Sequence, residues 1–579
     1  MHKFWTTRGW QQNALFLACI IMILAPLILR GNSCGQDFDF HFESWMGVVQ
    51  HWDQGVFCPH WLDSANYGAG EPRFVFYPPL SWLLGAILGI NMPWTWTPTV
   101  FIAVCLFGME AACYKMAREW MPDQNARIAA CLYVINPYIL FVIYERGALA
   151  EFLAAVWLPL LVLYALRRKS SVLQLALIIA AIWLTNAPAA VMGSYTLAVI
   201  VVVAAIAERR WTLIVRAAAG MALGLGLATV YLIPAIYEQR WVEITRAIGP
   251  GLRIQDSFLF EHTGMAYHDL VLRAASSIAV SLLFATAVAA ILYWRKRKQQ
   301  TLRNPLLILA ALITFLLFPA SRIIWDITPE LRFLQFPWRW LLFLGLIFAT
   351  FTAGSLGDSF PTRRTKILRA AAVLALATVL ISIAWRHYWQ FCDDQDNIHA
   401  QIATAQQPGF EGTDEYTPRD ADNGAIQQNL APVRILSTPD GDAVDSSIDE
   451  NPDWQPNEKD LLPAIVQIKR WQVEHMTAEV QSPQPGYAVL RVMDYPAWQV
   501  YVNSKPAPRQ HRDDGLLAFP IPSGTSTIDV RYIATPDVWA GRAVSLVSLL
   551  IWIALWLAQA AKTRRQNGYH KANASRTSD

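Results

Sequence analysis

Long apolar runs separated by short polar stretches occupy the first two thirds of the chain. Each run has about 20 residues, enough for a helix to cross a hydrocarbon core of about 30 Å. The pattern therefore predicts a polytopic α-helical membrane protein with about twelve transmembrane helices. The predicted spans are residues 12–29, 98–114, 127–143, 148–166, 172–187, 189–207, 212–235, 270–293, 304–319, 338–357, 370–385 and 538–559.

One apolar segment, "FYPPLSWLLGAILGI" (76–90), is short for a span, since it has only about 13 residues from its two prolines onward. If it does not cross, all the basic clusters lie on the side of the N-terminus, as the positive-inside rule requires. We therefore predict residues 78–90 as a helix in the outer interface of a bacterial plasma (inner) membrane, with both termini cytoplasmic. The basic clusters lie within residues 115–127, 167–169, 209–216, 295–298, 363–366 and 562–565.

Between residues 387 and 537 the pattern changes to short runs that alternate apolar and polar positions, divided by Pro, Gly, Asn and Asp. This pattern predicts a small extracytoplasmic β-sandwich of six antiparallel strands. The chain then divides into a transmembrane domain (1–386), the β-rich domain (387–537) and a final helix with a cytoplasmic tail (538–579). The predicted strands are "AIVQIKRW", "MTAEVQS", "YAVLRVMD", "WQVYVN", "LLAFPI" and "TIDVRYI".

Composition agrees with a membrane protein, since 54% of the residues are hydrophobic and only 16% are charged. The net charge of +3 is small and its basic residues are clustered, which excludes nucleic acid as a partner. The first apolar run has no cleavage site after it and is predicted to stay as a span. Cys34 and Cys58 share the first outer loop (31–75), where an oxidising compartment would permit a disulfide between them.

The first outer loop opens with "GQDFDFHFESW" (35–45), which holds several candidate catalytic groups. If residues 36–39 are extended, Asp37 and Asp39 project to the same side. Such a pair could hold Mg²⁺ or Mn²⁺, or leave one carboxylate free to take a proton from an attacking hydroxyl. His41 and Glu43 follow on a helix that we predict to start at residue 40. The alternative is that Asp39 merely caps this helix.

Further charged residues lie in other predicted outer segments. In "YERGALAE" (144–151), Glu145, Arg146 and Glu151 could bind a hydroxyl and a phosphate, or could form an ion pair that braces a hairpin. In "ELRFLQFPWRW" (330–340), basic and amide side chains flank a helix start, an arrangement that suits an anion. A juxtamembrane anchor is the alternative there. The candidate substrate-binding residues are Arg73, Tyr77, Glu145, Arg146, Glu151, Arg322, Arg332, Gln335 and Arg339.

Acids, arginines and aromatic residues thus gather on one predicted membrane surface, which fits a substrate with an anionic head and a lipid tail. The sequence has no phosphate loop, Ser-His-Asp ordering or dinucleotide fingerprint, which disfavours soluble nucleotide chemistry.

Several motifs resemble those of the bacterial multi-pass proteins catalogued as 6-pyruvoyl-tetrahydropterin-synthase-related membrane proteins. The resemblance spans nearly the whole chain, and its layout is similar to that of GT-C glycosyltransferases. It implies that Asp37 is the first-loop acid with a base or metal role, that His41 is the histidine after it, and that Asp39 is an extra acid. The motifs are "GQDFDFHFESW", "HWDQG", "ANYGAGEPRFVFYPPLSWLLGA", "YERGALAEFLA", "LQFPWRW", "GTDEYTP" and "YPAWQVYVN".

The sequence therefore predicts a GT-C-like glycosyltransferase that moves a sugar from a polyprenyl-phosphate donor to a glycan, lipid or protein acceptor outside the cytoplasm. Asp37 would be the base, Arg332 and Arg339 would bind the lipid phosphate, and Asp37 with Asp39 could hold Mg²⁺ or Mn²⁺. The alternatives are a lipid or polysaccharide transporter or flippase, and a non-catalytic envelope assembly protein.

Overall fold

The computed structural model describes residues 7–168, 171–295, 300–357, 362–406, 409–419, 421–426, 430–441, 460–512 and 514–576, with the backbone alone for 7–13, 329, 425 and 563–576. Three of the predicted basic clusters include positions whose side chains lie outside this set. These positions are Lys169, Lys296, Arg297, Lys298, Arg564 and Arg565.

Helices make up most of the described chain. They are α1 (Thr7–Arg30), α2 (Phe38–Asp53), α3 (Ala65–Gly68), α4 (Arg73–Phe76), α5 (Pro79–Asn91), α6 (Thr97–Trp120), α7 (Asp123–Val134), α8 (Pro137–Phe141), α9 (Leu149–Ala154), α10 (Leu158–Leu166), α11 (Val172–Trp183), α12 (Ala187–Glu208), α13 (Thr212–Glu238), α14 (Ala266–Trp294), α15 (Gln300–Leu316), α16 (Arg322–Ile327), α17 (Pro329–Arg332), α18 (Leu341–Ser355), α19 (Arg363–His387), α20 (Ile398–Thr404) and α21 (Pro536–Arg576).

The number of membrane-spanning helices falls short of the prediction. In the described part of the chain, 9 helical segments are long and apolar enough to span, or 10 if α15 and the helical residues Pro319–Ile327, bent by 99°, form one span. The predicted span 172–187 matches an apolar helix of 12 residues, Val172–Trp183, and the predicted span 12–29 lies within α1, whose fully described part is Ala14–Arg30. The chain is therefore a mostly helical protein with several candidate spans, and the count of about twelve is not confirmed.

The ambiguous segment 78–90 is a helix, α5, of 13 residues. It packs closely on α2, because a Cβ atom at Gly85 would lie 2.1 Å from the Trp45 ring. A larger residue at position 85 would push the two helices apart. Its length agrees with a helix that does not cross, while its place in the outer interface stays a prediction.

The β-rich region contains two antiparallel sheets. One has the strand order β1-β4-β7 and the other β2-β3-β8-β5-β6. Buried residues of both sheets, such as Val480 and Leu490, belong to one apolar core, which also includes Trp61 of the first outer loop. The strands are β1 (Val433–Leu436), β2 (Ile465–Gln472), β3 (His475–Ser482), β4 (Gly486–Met493), β5 (Trp498–Val502), β6 (Lys505–Pro506), β7 (Leu516–Ile521) and β8 (Gly524–Tyr532).

The predicted strands all form, and two short strands, β1 and β6, were not predicted. Both are brief, and β6 contains Pro506, so neither shows the alternation over four or more residues that indicates a strand. A face-to-face sandwich of the two sheets stays a prediction.

The disulfide prediction was wrong. Cys34 is bonded to Cys392, and Cys58 is free and exposed. In space, the start of the first outer loop lies beside the segment that follows α19. The backbone N–H of Cys34 donates to the Gln390 carbonyl there, at 3.2 Å. Cys392 thus lies beside Cys34 in space although it is 358 residues away in sequence.

Peptide mapping can test this pairing. Protein alkylated without reductant should carry the label on Cys58 and yield Cys34 and Cys392 in one cross-linked peptide, because only the exposed thiol is free outside the apolar core. Reduction before alkylation should label all three. A peptide linking Cys34 to Cys58 would contradict the structure.

Candidate active site

The start of α2 packs directly on the turn that follows the helical segment Val142–Arg146. A Cβ atom at Gly35 would lie 2.6 Å from the Glu145 carbonyl oxygen, and one at Gly147 would lie 2.9 Å from Cβ of Phe38. Gly147 also has a φ of +61°, which favours glycine. The Asp37 N–H donates to the Arg146 carbonyl at 2.8 Å, so the two segments hold each other in register.

This packing corrects the predicted conformation of residues 36–39. They form a turn and the first residues of α2, which begins at Phe38 rather than at residue 40. Asp37 is the N-cap residue, and Asp39 lies inside the first helical turn. The two carboxylates therefore do not share one face of an extended segment.

Asp37 occupies a capping position but does not cap the helix with its side chain. Its Oδ2 atom instead accepts a hydrogen bond from Nη2 of Arg146 at 3.0 Å. The carboxylate is 38% exposed, and its Oδ1 atom has no hydrogen-bond partner among the described residues. One oxygen is thus fixed while the other is open to a substrate.

Arg146 is itself buried, and Glu151 is its second partner. Nη1 of Arg146 donates to Oε2 of Glu151 at 2.8 Å, and the Tyr138 hydroxyl donates to Oε1 at 2.6 Å. Arg146 belongs to a π-helical turn, a feature that often occurs at functional sites. The ion pair that was the alternative reading of this motif forms between Arg146 and Glu151, and Arg146 also bonds to Asp37.

Arg339 completes this group. Its Nε atom lies 3.4 Å from Oε2 of Glu151, and its Nη1 atom donates to the Leu334 carbonyl at 3.0 Å. The rings of Phe336 and Trp338 stack on each other, Arg146 lies over both rings, and Arg339 lies over Phe336. Two guanidinium groups and two carboxylates therefore meet next to aromatic residues, and we call these four charged residues the Asp37 cluster.

Arg73 lies in a second cluster, which links the first outer loop to the segment before the first strand, β1. Its Nε atom donates to Oε1 of Glu71 at 2.5 Å, and its Nη2 atom to Oγ1 of Thr413 at 3.2 Å. The Thr413 N–H donates to Oε2 of Glu71 at 2.7 Å. Arg73 is fully buried and occupied by protein groups, which disfavours the predicted substrate role.

Glu43 borders this second cluster. Its Oε2 atom lies 3.6 Å from Nη1 of Arg73. Burial raises the pKa of Glu43 to about 8, and the charge of Arg73 opposes that rise. Glu43 is thus a carboxyl group that can hold a proton near neutral pH.

His41 and Tyr77 bond to each other. Nδ1 of His41 lies 2.5 Å from the Tyr77 hydroxyl, and the Ala150 N–H points at Nε2 from 3.5 Å. Burial lowers the pKa of His41 to about 4 and raises that of Tyr77. His41 is therefore neutral at physiological pH, with both ring nitrogens facing protein groups.

The remaining candidates do not join the Asp37 cluster. Arg322 is exposed and lies 3.6 Å from Asp326, and Nη2 of Arg332 donates to the Asp326 carbonyl at 2.7 Å. Gln335 donates to the Ala247 carbonyl at 2.7 Å. Glu145 is buried with its carboxylate beside Gln390.

The metal site predicted at Asp37 and Asp39 has few protein ligands. In the described ranges, the one group of three potential ligands is Cys34, Cys392 and Asp396, and it contains the disulfide. Asp37 already binds Arg146, and Oδ1 of Asp39 accepts from the Phe40 N–H at 2.7 Å. Two carboxylates supply some of the six oxygens that Mg²⁺ and Mn²⁺ bind, and the others would come from water and substrate, so a metal site here stays a prediction.

Comparison with known proteins gives one family and a few distant structures. A family model described as "6-pyruvoyl-tetrahydropterin synthase related domain; membrane protein" matches residues 74–391. No curated protein matches the chain.

Among solved structures, the arabinofuranosyltransferase AftD from Mycobacteria has 19% sequence identity and a TM-score of 0.41. The match covers 66% of this chain and 27% of AftD, so the chain spans about a quarter of that protein. ArnT from Cupriavidus metallidurans, bound to undecaprenyl phosphate, has 12% identity and a TM-score of 0.31, with 71% of this chain and 91% of ArnT covered.

The pKa of His41 makes stability depend on pH. The pKa of His41 is about 4 in the folded protein and 6.5 in the unfolded chain. Its contribution to the free energy of unfolding is therefore fully present above pH 6.5 and is lost as the pH falls toward 4. The difference corresponds to roughly 3 kcal/mol. We expect His41→Gln to weaken this acid sensitivity in thermal unfolding measured from pH 4 to 8.

The exposed His399 provides a control, because His399→Gln should keep the pH dependence of the wild type. Identical pH profiles for His41→Gln and the wild type would show that His41 does not titrate as a buried neutral group.

Proposed function

We propose that this chain, which belongs to the family of 6-pyruvoyl-tetrahydropterin synthase related membrane proteins, is a membrane glycosyltransferase of the GT-C type. It would move a sugar from a polyprenyl-phosphate donor to an acceptor outside the cytoplasm. The observation that carries the proposal is the arrangement of the Asp37 carboxylate. One carboxylate oxygen is fixed by the buried Arg146 and the other is open at the start of α2.

In this proposal Asp37 is the general base. Its Oδ1 atom accepts the proton of the acceptor hydroxyl as that oxygen attacks the anomeric carbon. The bond from the anomeric carbon to the acceptor oxygen forms while the bond to the phosphate oxygen breaks, so the sugar configuration inverts. The lipid phosphate leaves with the electron pair. Arg146 keeps the carboxylate in place for this step, as a fixed base requires.

Arg339 is the proposed ligand of the lipid phosphate. It is buried next to Glu151, yet its Nη2 atom has no hydrogen-bond partner among the described residues. A guanidinium with a free N–H group suits a phosphate oxygen. The stacked rings of Phe336 and Trp338 are buried beside it, which keeps the guanidinium in an apolar setting. Arg332 has no such support because it is exposed and binds the Asp326 carbonyl.

Mg²⁺ or Mn²⁺ is not part of this proposal. The two carboxylates at Asp37 and Asp39 would need most of their ligands from substrate and water, and no step here depends on a metal.

One observation favours the transporter alternative. Glu110 lies within α6, in a candidate span, and is only 2% exposed. Its Oε1 atom has no partner among the described residues. Ionisable residues inside a membrane often mark a transport or proton path. A lipid or polysaccharide flippase is therefore the second candidate, and an assay for sugar transfer separates it from the first.

Substitution of Asp37 tests the proposed base. Asp37→Asn keeps the size of the side chain and a carbonyl oxygen for Arg146 but removes the basic oxygen. Transfer from a panel of radiolabelled polyprenyl-phosphate sugars should fall by about 10²- to 10⁴-fold, with donor affinity little changed. Asp53→Asn, at the exposed end of the same helix, is the matched control and should keep full activity.

If the Asp37→Asn protein kept the wild-type rate of sugar transfer, Asp37 would not be the base. Movement of a labelled lipid across the bilayer without consumption of any sugar donor would favour the flippase.

Substitution of Arg339 tests the phosphate contact. Arg339→Lys keeps the charge but removes the planar fork, so the donor should bind about tenfold or more weakly, measured as its KM or Kd. Arg332→Lys is the control on the neighbouring segment and should leave donor affinity unchanged. Equal losses in the two variants would argue against a specific phosphate site at Arg339.

A further inference from the structure

A large cavity lies between the first outer loop and the β-rich region, away from the Asp37 cluster. Its volume is about 770 Å³, within the range of about 300–1,000 Å³ typical of small-molecule sites. The end of α2, the segment 61–69 and strands β2 and β4 contribute to its walls. None of the proposed catalytic residues lines it.

Three polar side chains in this cavity are each held by one backbone hydrogen bond. Nε2 of Gln50 donates to the Ala405 carbonyl, Oε1 of Gln54 accepts from the Val473 N–H, and Nη1 of Arg491 donates to the Leu430 carbonyl, each at 3.1 Å. These bonds fix which way each group points.

Each of these side chains also keeps an unused polar atom. Oε1 of Gln50, Nε2 of Gln54 and Nη2 of Arg491 have no hydrogen-bond partner in the described part of the chain. The cavity thus offers one acceptor and two donors in orientations set before any ligand arrives. Pre-oriented groups of this kind lower the entropic cost of binding.

The other lining residues indicate the class of ligand. Trp471 contributes a partly exposed aromatic ring, and Asp63 contributes a carboxylate that balances the charge of Arg491. A nearly neutral lining disfavours an anionic ligand such as a nucleotide. Donors, an acceptor and the ring of Trp471 together match a sugar, whose hydroxyls both donate and accept and whose C–H faces pack on aromatic rings.

We propose that this cavity binds a neutral oligosaccharide. Gln50 lies 13 residues after Asp37 on the same helix, or about 20 Å away at about 1.5 Å per residue. A glycan held in the cavity is therefore anchored at a distance from the reaction centre. That this glycan is the acceptor of the transfer rests on the proposed function, whereas the binding itself does not.

Binding can be measured on the full-length purified protein in nanodiscs. The probes are fluorescently tagged maltoheptaose, mannohexaose, galactohexaose, arabinohexaose and chitohexaose, with a tagged uncharged peptide of similar length as the competing class. At least one oligosaccharide should bind the wild type. Gln54→Ala and Arg491→Met should each weaken that binding by roughly three- to tenfold, since each loses one ligand hydrogen bond.

Two variants outside the cavity are the controls. Gln499→Ala on β5 and Arg531→Met on β8 change exposed residues of the same two types and should bind like the wild type. Asp37→Asn should also keep its glycan affinity, even if it loses transferase activity. Glycan binding can therefore be confirmed even if the protein proves not to be a glycosyltransferase.

Three outcomes would overturn the inference. One is that no oligosaccharide of the panel binds, another is that the peptide binds in their place, and the third is that the cavity variants bind as tightly as the wild type. Thermal unfolding of each variant shows whether a loss of binding reflects a loss of folding.

Discussion

The burial of Arg146 is the constraint on which the candidate site depends. An arginine that is 1% exposed must have charged partners, because an uncompensated buried charge costs about 3–5 kcal/mol. Glu151 supplies one partner from the following helix, and Asp37 supplies the other from a loop 109 residues earlier. The same interaction therefore joins two distant segments and places a carboxylate at the start of α2.

The first outer loop is attached to the rest of the protein at further points. The disulfide joins Cys34 to the segment after α19, and Arg73 with Glu71 joins the loop to Thr413. Together with the bond between Arg146 and Asp37, these attachments hold the loop to partners that are each more than 100 residues away in sequence. A base that must meet an acceptor hydroxyl in one geometry benefits from such rigid support.

Local patterns predicted the parts of this architecture that depend on near neighbours. The apolar runs indicated helices, the alternating runs indicated the longer strands, and "YERGALAE" placed Arg146 five residues before Glu151. The sequence could not show that Cys34 meets Cys392, or that Glu71 meets Thr413, because these pairs are 358 and 342 residues apart.

The sequence pattern also could not show which arginine of the motif "ELRFLQFPWRW" would be buried in the site. Arg332 and Arg339 share one motif and one residue type, but Arg332 reaches a surface carbonyl while Arg339 is buried against Glu151. The partner of Arg73 could have been predicted from the sequence, since Glu71 is an acid two residues before that arginine.

The charges of the Asp37 cluster suggest how base and leaving group act together under the proposed function. Arg146, Arg339, Asp37 and Glu151 sum to no net charge, so the cluster does not strongly attract a free phosphate. When Asp37 takes the acceptor proton, its attraction for Arg146 falls, while Glu151 remains bonded to it. The positive charge of Arg146 is then only partly balanced, next to Arg339 and the departing phosphate. Proton transfer at one end of the site would thus increase the positive field at the other, in the step in which negative charge develops on the phosphate.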